Sequence, residues 1–327
     1  MSVEKSLHFL SLMEGNIMIN CCAGILKKLV ITGMHSRYGE RPDKEVIRRI
    51  SWEVAHIIDA GFEDYYLLAY KIFNQYARSS GIGVWAVGAT PSSIVCYCLG
   101  LTEVDPVRFG LHSARFVNEN PPVFQFDIEK SRYVEFVQNA EEIILNSDEG
   151  LDRSSLRESL LKHLCQMDYL SHKRGQEIPL DIEDEMAQYA LLFPDTKQMY
   201  DTYMRCRNGE SWCSVEPYDQ ILGQTYDLLV YQEQMFDILH LIFKVDGIDA
   251  NRIRRSIQRR NAEQMEGWKA YLKSLSEDFL SNQDSLGWVD AELGWQILND
   301  NPKAFLKAHA ASRIIARQRY ETHNEKG

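Results

Sequence analysis

Acidic side chains on one face of a predicted strand have the spacing needed to share a divalent cation. Bulky and polar residues alternate over 121–129, so strand geometry places Gln125, Asp127 and Glu129 on one face. Asp168 stands among apolar residues in a later predicted strand, around 164–170, where an unpaired carboxylate is costly. It therefore either caps or pairs within the core, or faces the same pocket as Asp127. Asp127, Glu129 and Asp168 are the candidate metal ligands.

A glycine turn lies before the acidic strand along the chain. The apolar run 82–87 is predicted to be a short strand, Gly88 follows it, and 92–100 is predicted to be a buried, capped helix. A turn that leads into a helix N-terminus favours phosphate binding, because backbone N–H groups and the helix dipole point at the ligand. The turn and the acidic strand together predict a site for a triphosphate and its metal, in which Gly88 contacts phosphate.

Five arginines lie within nine positions of a predicted helix from Ala250 to Arg260, which we call the arginine helix. Ile253 and Ile257 are four residues apart and can face the core, which leaves the arginines on an outer face. A solvated basic surface is one interpretation. The concentration of positive charge in a protein of net charge −11 favours a phosphate-binding surface instead. The predicted phosphate contacts are Arg254, Arg255, Arg259 and Arg260.

The composition is that of a globular protein with an acidic balance. A length of 327 residues allows one large or two small domains, and the net charge of −11 excludes a wholly basic nucleic-acid coat. Seven scattered cysteines favour a reducing, cytoplasmic location over a disulfide framework. Cys206 and Cys213 lack a second ligand pair at zinc-finger spacing, so buried thiols are favoured over zinc. The apolar run 17–31 is too short and too interrupted to span a membrane.

The elements that must position these residues alternate between helices and short strands in the first half of the chain. Helical spacing of apolar residues predicts helices over 42–60 and again from Phe62 to Tyr76, and a further helix over 131–145. From Ile182 onward the sequence is helical almost throughout, including a long apolar helix from Tyr226 to Phe243.

The order of these segments resembles the palm and fingers of bacterial C-family replicative DNA polymerases, the alpha subunit of DNA polymerase III. The resemblance covers 41–137, Asp168 and 221–319, about two thirds of the chain. The residues that carry it are Gly61-Phe62-x-x-Tyr65-Tyr66, the run from Tyr97 to Pro106, Arg115-Phe116-x-Asn118, Val230 to Gln234, the arginine helix with Glu263-Gln264-Met265, and Phe305-x-Lys307-x-His309.

This resemblance implies an α+β fold with a mixed-sheet, nucleotidyltransferase-like palm followed by all-helical fingers. We expect a helical leader over 1–40, the palm over 41–175 with most of the thumb insertion missing, and the fingers over 176–327. It also implies a core that acts in DNA replication, in which Asp127, Glu129 and Asp168 bind Mg²⁺ or Mn²⁺ if the protein is catalytic. The implied contacts with nucleotide or DNA phosphates are Arg254, Arg255, Arg259 and Arg260, with Lys307 and His309 of the last predicted helix. The implied partners are primer-template DNA, deoxynucleoside triphosphates and replication proteins that supply missing domains, with no membrane.

The sequence also departs from the family pattern at the residues that carry chemistry. The family's phosphate loop, Gly-Arg-Gly-Ser, corresponds to Ala86-Val87-Gly88-Ala89, and its triplet of alternating aspartates corresponds to Gln125, Asp127 and Glu129. Gln166 stands where the family has a lysine two residues before Asp168.

Three hypotheses therefore stay open. The first is a minimal template-directed DNA polymerase, and the second is a non-catalytic relative that binds DNA or a replication partner. The third is a nucleotidyltransferase acting on a smaller substrate, against which the arginine helix argues.

Overall fold

A computed structural model describes residues 22–148, 150–167, 177–212, 215–260, 262–281, 291–301 and 303–324. The chain divides into two compact units. One is formed by residues up to 172 together with those from 311 onward, and the other by residues 173–310. None of the described helices combines the length and the apolar composition that crossing a lipid bilayer requires.

The first unit contains the small sheet that the sequence predicted. Its strands are β1 (Val84–Ala86), β2 (Gln125–Glu129) and β3 (His163–Met167), with β2 in the centre, antiparallel to β1 and parallel to β3. The sheet is thus mixed, and the α+β class is confirmed. Asp127 lies opposite both Trp85 and Cys165 in the register of the sheet.

The alternation along β2 separates its two faces as predicted. Phe124, Phe126 and Ile128 are fully buried in the core of the first unit, and the ring of Phe126 stacks on that of Phe73 with 3.8 Å between centroids. These apolar side chains hold β2 in place because burying each of them contributes about 1.5–3 kcal/mol. The opposite face is therefore free to present polar side chains.

Several helices of the first unit form at the positions that apolar periodicity predicted. Glu63–Ala69 continues through a π-helical segment, Tyr70–Tyr76, into Ala77–Ser79. Ser93 caps the short buried helix Ile94–Cys98, because its side chain accepts a hydrogen bond from the Cys96 N–H. The other helices of the first unit are Cys22–Tyr38, Lys44–Asp59, Tyr133–Leu145 and Arg153–Leu161. Short 3-10 helices form at Thr90–Ser92, Ser113–Arg115 and Lys130–Arg132.

The second unit is helical, as expected for the region after Ile182. Its helices are Ile182–Ala190, Tyr200–Arg207, Asp219–Leu222, Gln232–Asp237 with a π-helical segment Ile238–Ile242, Gly247–Arg259, Ala262–Ser281 and Ala291–Asp300, with 3-10 helices at Lys197–Met199 and Gly223–Thr225. The last helix, Lys307–Asn324, begins in this unit, and its residues from Ala311 belong to the first. Cys206 is a buried free thiol, and Cys213 lies outside the described residues.

The predicted helix from Tyr226 to Phe243 is wrong at its N-terminal end. Tyr226 and Asp227 have left-handed backbones, with φ of 55° and 62°, which a right-handed helix cannot contain. The helix begins instead at Gln232. Gln234 accepts hydrogen bonds from the N–H groups of Val230 and Tyr231 at 2.9 and 2.8 Å, so it holds the preceding segment in an extended course.

Candidate active site

Asp127 occupies the centre of β2, where it meets an arginine from the last helix. The residue is only 1% exposed. Its Oδ2 atom lies 2.6 Å from Nη2 of Arg313. Ser312 fixes the position of this arginine, because its hydroxyl donates a hydrogen bond to the carbonyl oxygen of Ala86 on β1. The last helix therefore delivers a positive charge directly to the acidic face of the sheet.

Burial and the charge of Arg313 shift the pKa of Asp127 in opposite directions and by unequal amounts. Burial raises the pKa of Asp127, since a carboxylate loses hydration in the core, and the Arg313 charge lowers that pKa by a smaller amount. Among the described residues, Oδ2 accepts no aligned hydrogen bond, so the contact with Arg313 is a charge contact. Asp127 is thus a buried acid that depends on one guanidinium for its counter-charge.

Glu129 lies at the end of β2 and is held by nearby groups. Its carboxylate accepts a hydrogen bond from the Gly83 N–H at 3.3 Å and another from the Ser131 hydroxyl. Asp168, which follows β3, lies outside the described residues. In the part of the chain that the structure describes, no three His, Cys, Asp or Glu residues are grouped to hold a metal ion. The predicted convergence of Asp127, Glu129 and Asp168 stays a prediction.

The described carboxylates do not fit a divalent cation as they stand. A metal ion needs carboxylate oxygens that are open to it, and Arg313 already holds its positive charge 2.6 Å from Asp127. A second cation at the same oxygen is opposed by charge repulsion in a site of low dielectric. The hydrogen bonds from the Gly83 N–H and the Ser131 hydroxyl also direct the Glu129 carboxylate toward these two groups.

The predicted phosphate turn is filled by a side chain of the protein itself. Gly88 has φ of +60°, and a Cβ atom placed there would lie 1.4 Å from Oε1 of Gln125. That oxygen accepts a hydrogen bond from the Ala89 N–H at 3.2 Å. The Gln125 backbone accepts from the Val87 N–H and donates to the Thr90 hydroxyl, both at 2.9 Å. Gln125 therefore uses the Ala89 N–H that a phosphate would need.

The arginine helix runs from Gly247 to Arg259 and begins at Asp246, whose side chain accepts from the N–H groups of Ile248 and Asp249. Arg255, Arg259 and Arg260 are exposed, as the outer-face prediction requires. The placement of Arg254 on that face is wrong, because it is only 5% exposed.

Helical geometry explains the exception. Arg254 is four residues after Ala250 and one after Ile253, so it falls within the buried stripe of the helix. Its guanidinium donates to Oδ1 of Asn251, to Oε1 of Gln232 at 3.0 Å and to Oε1 of Gln258 at 2.9 Å. Arg254 therefore stabilises the second unit by linking two of its helices.

Lys307 and His309 lie in the first turn of the last helix, within the second unit. The Lys307 ammonium lies 3.3 Å from Oε2 of Glu183. The N–H groups of Lys307 and Ala308 donate to the buried carboxylate of Glu233 at 2.8 and 3.3 Å. The ring of His309 packs edge-on to that of Phe305. Contact of Lys307 and His309 with phosphate stays a prediction.

Sequence reasoning missed Arg313 and Gln125 as determinants of the site. Arg313 carried a weak signal, because small residues, Ala308, Ala310, Ala311 and Ser312, precede it and allow close helix packing. Gln125 was placed on the correct face, but strand periodicity does not indicate which turn its amide fills.

Two family models match the chain over successive stretches. The bacterial DNA polymerase III alpha NTPase domain matches residues 24–143, and the bacterial DNA polymerase III alpha subunit finger domain matches residues 175–277. Together they cover about two thirds of the chain, in the order in which the sheet and the arginine helix occur. The chain belongs to the bacterial DNA polymerase III alpha family.

Curated relatives in this family carry the name error-prone DNA polymerase. The protein of Anaeromyxobacter sp. (strain K) is 36% identical over 117 residues, which are 35% of this chain and 10% of the relative. Error-prone DNA polymerase 1 of Rhizobium meliloti (strain 1021) is 37% identical over 116 residues, with the same coverage. The protein of Azoarcus sp. (strain BH72) is 31% identical over 144 residues, or 43% of this chain and 13% of the relative. The chain thus aligns with about a tenth of the length of these relatives.

Segments that carry the sequence resemblance to the DNA polymerase III alpha family also hold structural elements together. In the run from Tyr97 to Pro106, Glu103 pairs with Arg37 at 2.5 Å and Asp105 accepts from the Tyr38 hydroxyl at 2.7 Å. In the second unit, Tyr231 and Phe305 form a parallel β-bridge, which joins the Val230–Gln234 motif to the Phe305–His309 motif. Arg313 lies outside both stretches that the family models match.

Proposed function

We propose that this chain binds DNA as a relative of DNA polymerase III alpha that does not itself transfer nucleotides. The observation that carries the proposal is the contact between Asp127 and Arg313 at the centre of the acidic face. Nucleotidyl transfer by polymerases needs carboxylates that hold divalent ions. Here the cation beside the central carboxylate, Asp127, is the guanidinium of Arg313.

The Gly88 turn supports the same proposal. A triphosphate cradle needs unpaired N–H donors and cationic side chains, whereas the Ala89 N–H is bound by Gln125 and the turn contains no arginine or serine. Each charge-assisted contact of this kind contributes about 1.5–3 kcal/mol, so the loss of two lowers triphosphate affinity by roughly two to four powers of ten.

Binding of DNA depends on a different part of the chain. Arg255, Arg259 and Arg260 are exposed on the arginine helix, and none of their side chains has an ion-pair or hydrogen-bond partner among the described residues. Exposed arginines bind phosphate by releasing counterions, and this requires neither a metal site nor a triphosphate cradle. The family's DNA polymerase domains support DNA as the partner.

Primer extension with Mn²⁺ and saturating deoxynucleotides tests the proposal. The wild-type protein is compared with the double variant Asp127→Asn, Asp168→Asn, and binding of the same primer-template is measured by fluorescence anisotropy. We expect equal, background-level extension by both proteins and clear DNA binding by both. Titration of Mn²⁺ followed by electron paramagnetic resonance gives a readout independent of activity, and we expect no tight site that Asp127→Asn removes.

A template-directed polymerase is the second candidate, favoured by membership of the family. In that case Asp127, Glu129 and Asp168 hold Mg²⁺ or Mn²⁺. Robust extension by the wild-type protein that disappears in the double variant would overturn the non-catalytic proposal. A tight Mn²⁺ site that depends on Asp127 would contradict the role assigned to Arg313.

A further inference from the structure

A groove lies between the arginine helix and the helix that follows it, Ala262–Ser281. Its volume is about 550 Å³. Arg252, Arg255 and Arg259 line one wall, and Gly267, Trp268 and Tyr271 line the other. We propose that this groove binds single-stranded DNA, with phosphates on the arginines and an unpaired base stacked on Trp268. The inference rests on the proposed DNA-binding function and assigns it a substrate class and a site.

The basic wall presents charge in a row. Residues three and four apart on a helix are neighbours, with Cβ atoms about 5–6 Å apart, so Arg252, Arg255 and Arg259 follow one line along the groove. Arg252 forms an ion pair with Asp249, with 2.9 Å between Nη1 and Oδ1. The side chains of Arg255 and Arg259 have no ion-pair or hydrogen-bond partner within the ranges that the structure describes, and both are exposed. Two guanidinium groups are thus available for backbone phosphates.

The aromatic wall is held in a fixed orientation. Trp268 Nε1 donates a hydrogen bond to the Ser256 hydroxyl at 3.2 Å, which ties the indole to the arginine helix. Its ring meets that of Tyr271 edge-on, with 5.9 Å between centroids. Both side chains are only partly buried. A Cβ atom added to Gly267 would meet nothing within 4 Å, so space stays open beside the rings.

This combination favours a single strand over a duplex. Aromatic side chains stack on the faces of unpaired bases, and in a duplex those faces are covered by neighbouring base pairs. Arginines alone bind the phosphates of either form. A groove of about 550 Å³ lies within the range of pockets that bury a small organic ligand, so it has room for one nucleotide.

Fluorescence anisotropy with a labelled oligothymidine and with a blunt duplex of equal length tests the proposal on the full chain. We expect tighter binding of the single strand. Trp268→Leu should weaken that binding by roughly 5- to 150-fold and leave its salt slope unchanged, because a stacking contact and no charge is lost. The double variant Arg255→Gln, Arg259→Gln should flatten the slope of log K against log salt by about 1.4, since each phosphate contact on a single strand contributes about −0.7.

Matched controls separate stacking from folding effects. Trp268→Phe keeps an aromatic face but loses the hydrogen bond to Ser256, so its affinity should stay close to that of the wild type. Trp212→Leu removes a tryptophan that is 44% exposed outside the groove, and it should leave binding unchanged. Arg205→Gln, at an exposed arginine paired with Glu210, is the corresponding control for charge.

Each outcome either supports or overturns the groove as the binding site. Equal losses in Trp268→Phe and Trp268→Leu would show that the hydrogen bond is structural and that no base stacks there. Binding that depends on Arg255 and Arg259 but not on Trp268, or that is equal for both oligonucleotides, would overturn the single-strand proposal and leave DNA binding intact. A protein that binds neither form at low salt would overturn the proposed function itself.

Discussion

Nη2 of Arg313 lies 2.6 Å from Oδ2 of Asp127, at the middle of a strand whose other face is fully buried. An arginine from the last helix thus supplies the positive charge at the position where the family resemblance predicts a metal. The Asp127 carboxylate is almost fully buried, whereas the Arg313 side chain is 21% exposed. The pair is therefore asymmetric. Removal of the arginine leaves a buried carboxylate without a counter-charge, whereas removal of the acid leaves a guanidinium that reaches water.

Arg313→Ala should destabilise the first unit by roughly 3 kcal/mol at pH 7, because it leaves an uncompensated buried carboxylate. Unfolding in urea measures the change in free energy. The double variant Asp127→Asn, Arg313→Ala should recover part of the lost stability, since it contains no buried carboxylate without a counter-charge. If Arg313→Ala is equally destabilising with Asp127 and with Asn at 127, the two side chains do not interact energetically.

The stability of the protein should depend on the titration of Asp127 with a definite sign. Its pKa is raised in the folded state above an unfolded value of about 3.9, so the folded protein binds the extra proton between the two values. The cost of burying the charge is absent below about pH 4 and grows as pH rises through the folded pKa.

Asp127→Asn removes this titration. The free energy of unfolding of the variant should therefore increase relative to that of the wild type as pH rises from 4 to 8. Urea unfolding across that range is the measurement. A relative gain by the wild type would mean that attraction to Arg313 outweighs burial and that the pKa of Asp127 is lowered.

Gly88→Ala should destabilise the protein more than the same substitution at another glycine with the same backbone φ. Gly88 and Gly110 both have φ of +60°, but an added Cβ atom meets Gln125 at the first and nothing within 4 Å at the second. Left-handed backbone alone costs roughly 1 kcal/mol for alanine. Gly88→Ala must also displace the Gln125 amide from the Ala89 N–H, which adds about 1 kcal/mol.

We therefore expect about 2 kcal/mol for Gly88→Ala and about 1 kcal/mol for Gly110→Ala, measured by urea unfolding. In the background of Gln125→Ala the two glycine substitutions should cost the same. Equal costs in the wild-type background would show that Gln125 does not fill the turn.

Glu233→Ala should loosen the start of the last helix. The buried carboxylate accepts from the N–H groups of Lys307 and Ala308, and loss of a helix cap costs up to about 2 kcal/mol. Hydrogen exchange at these two amides should become faster, which locates the effect. Glu210→Ala removes an exposed acid paired with Arg205 at 3.3 Å and should cost less than about 1 kcal/mol. Unchanged exchange at Lys307 would mean that Glu233 does not cap the helix.

Local patterns in the sequence were sufficient for much of the fold. The apolar spacing over 42–60 and the alternation over 121–129 each bury one face, and both elements form where these patterns predict them. The helix predicted from Tyr226 was too long because its apolar residues match helical spacing, whereas left-handed residues and the amide of Gln234 terminate it. Backbone dihedrals of this kind depend on side-chain hydrogen bonds that periodicity does not contain.

The sequence by itself determined the family, the mixed α+β class, the face on which Asp127 lies and the concentration of arginines, because each depends on residue order and short-range period. Tertiary structure alone decided which cation faces Asp127, which donor Gln125 occupies and which arginine is buried. Arg313 is 186 positions from Asp127 along the chain, and Arg254 differs from Arg255 only in the side of the helix that it occupies. Burial and pairing are properties of such distant contacts, since they depend on what packs against a side chain and not on its neighbours in sequence.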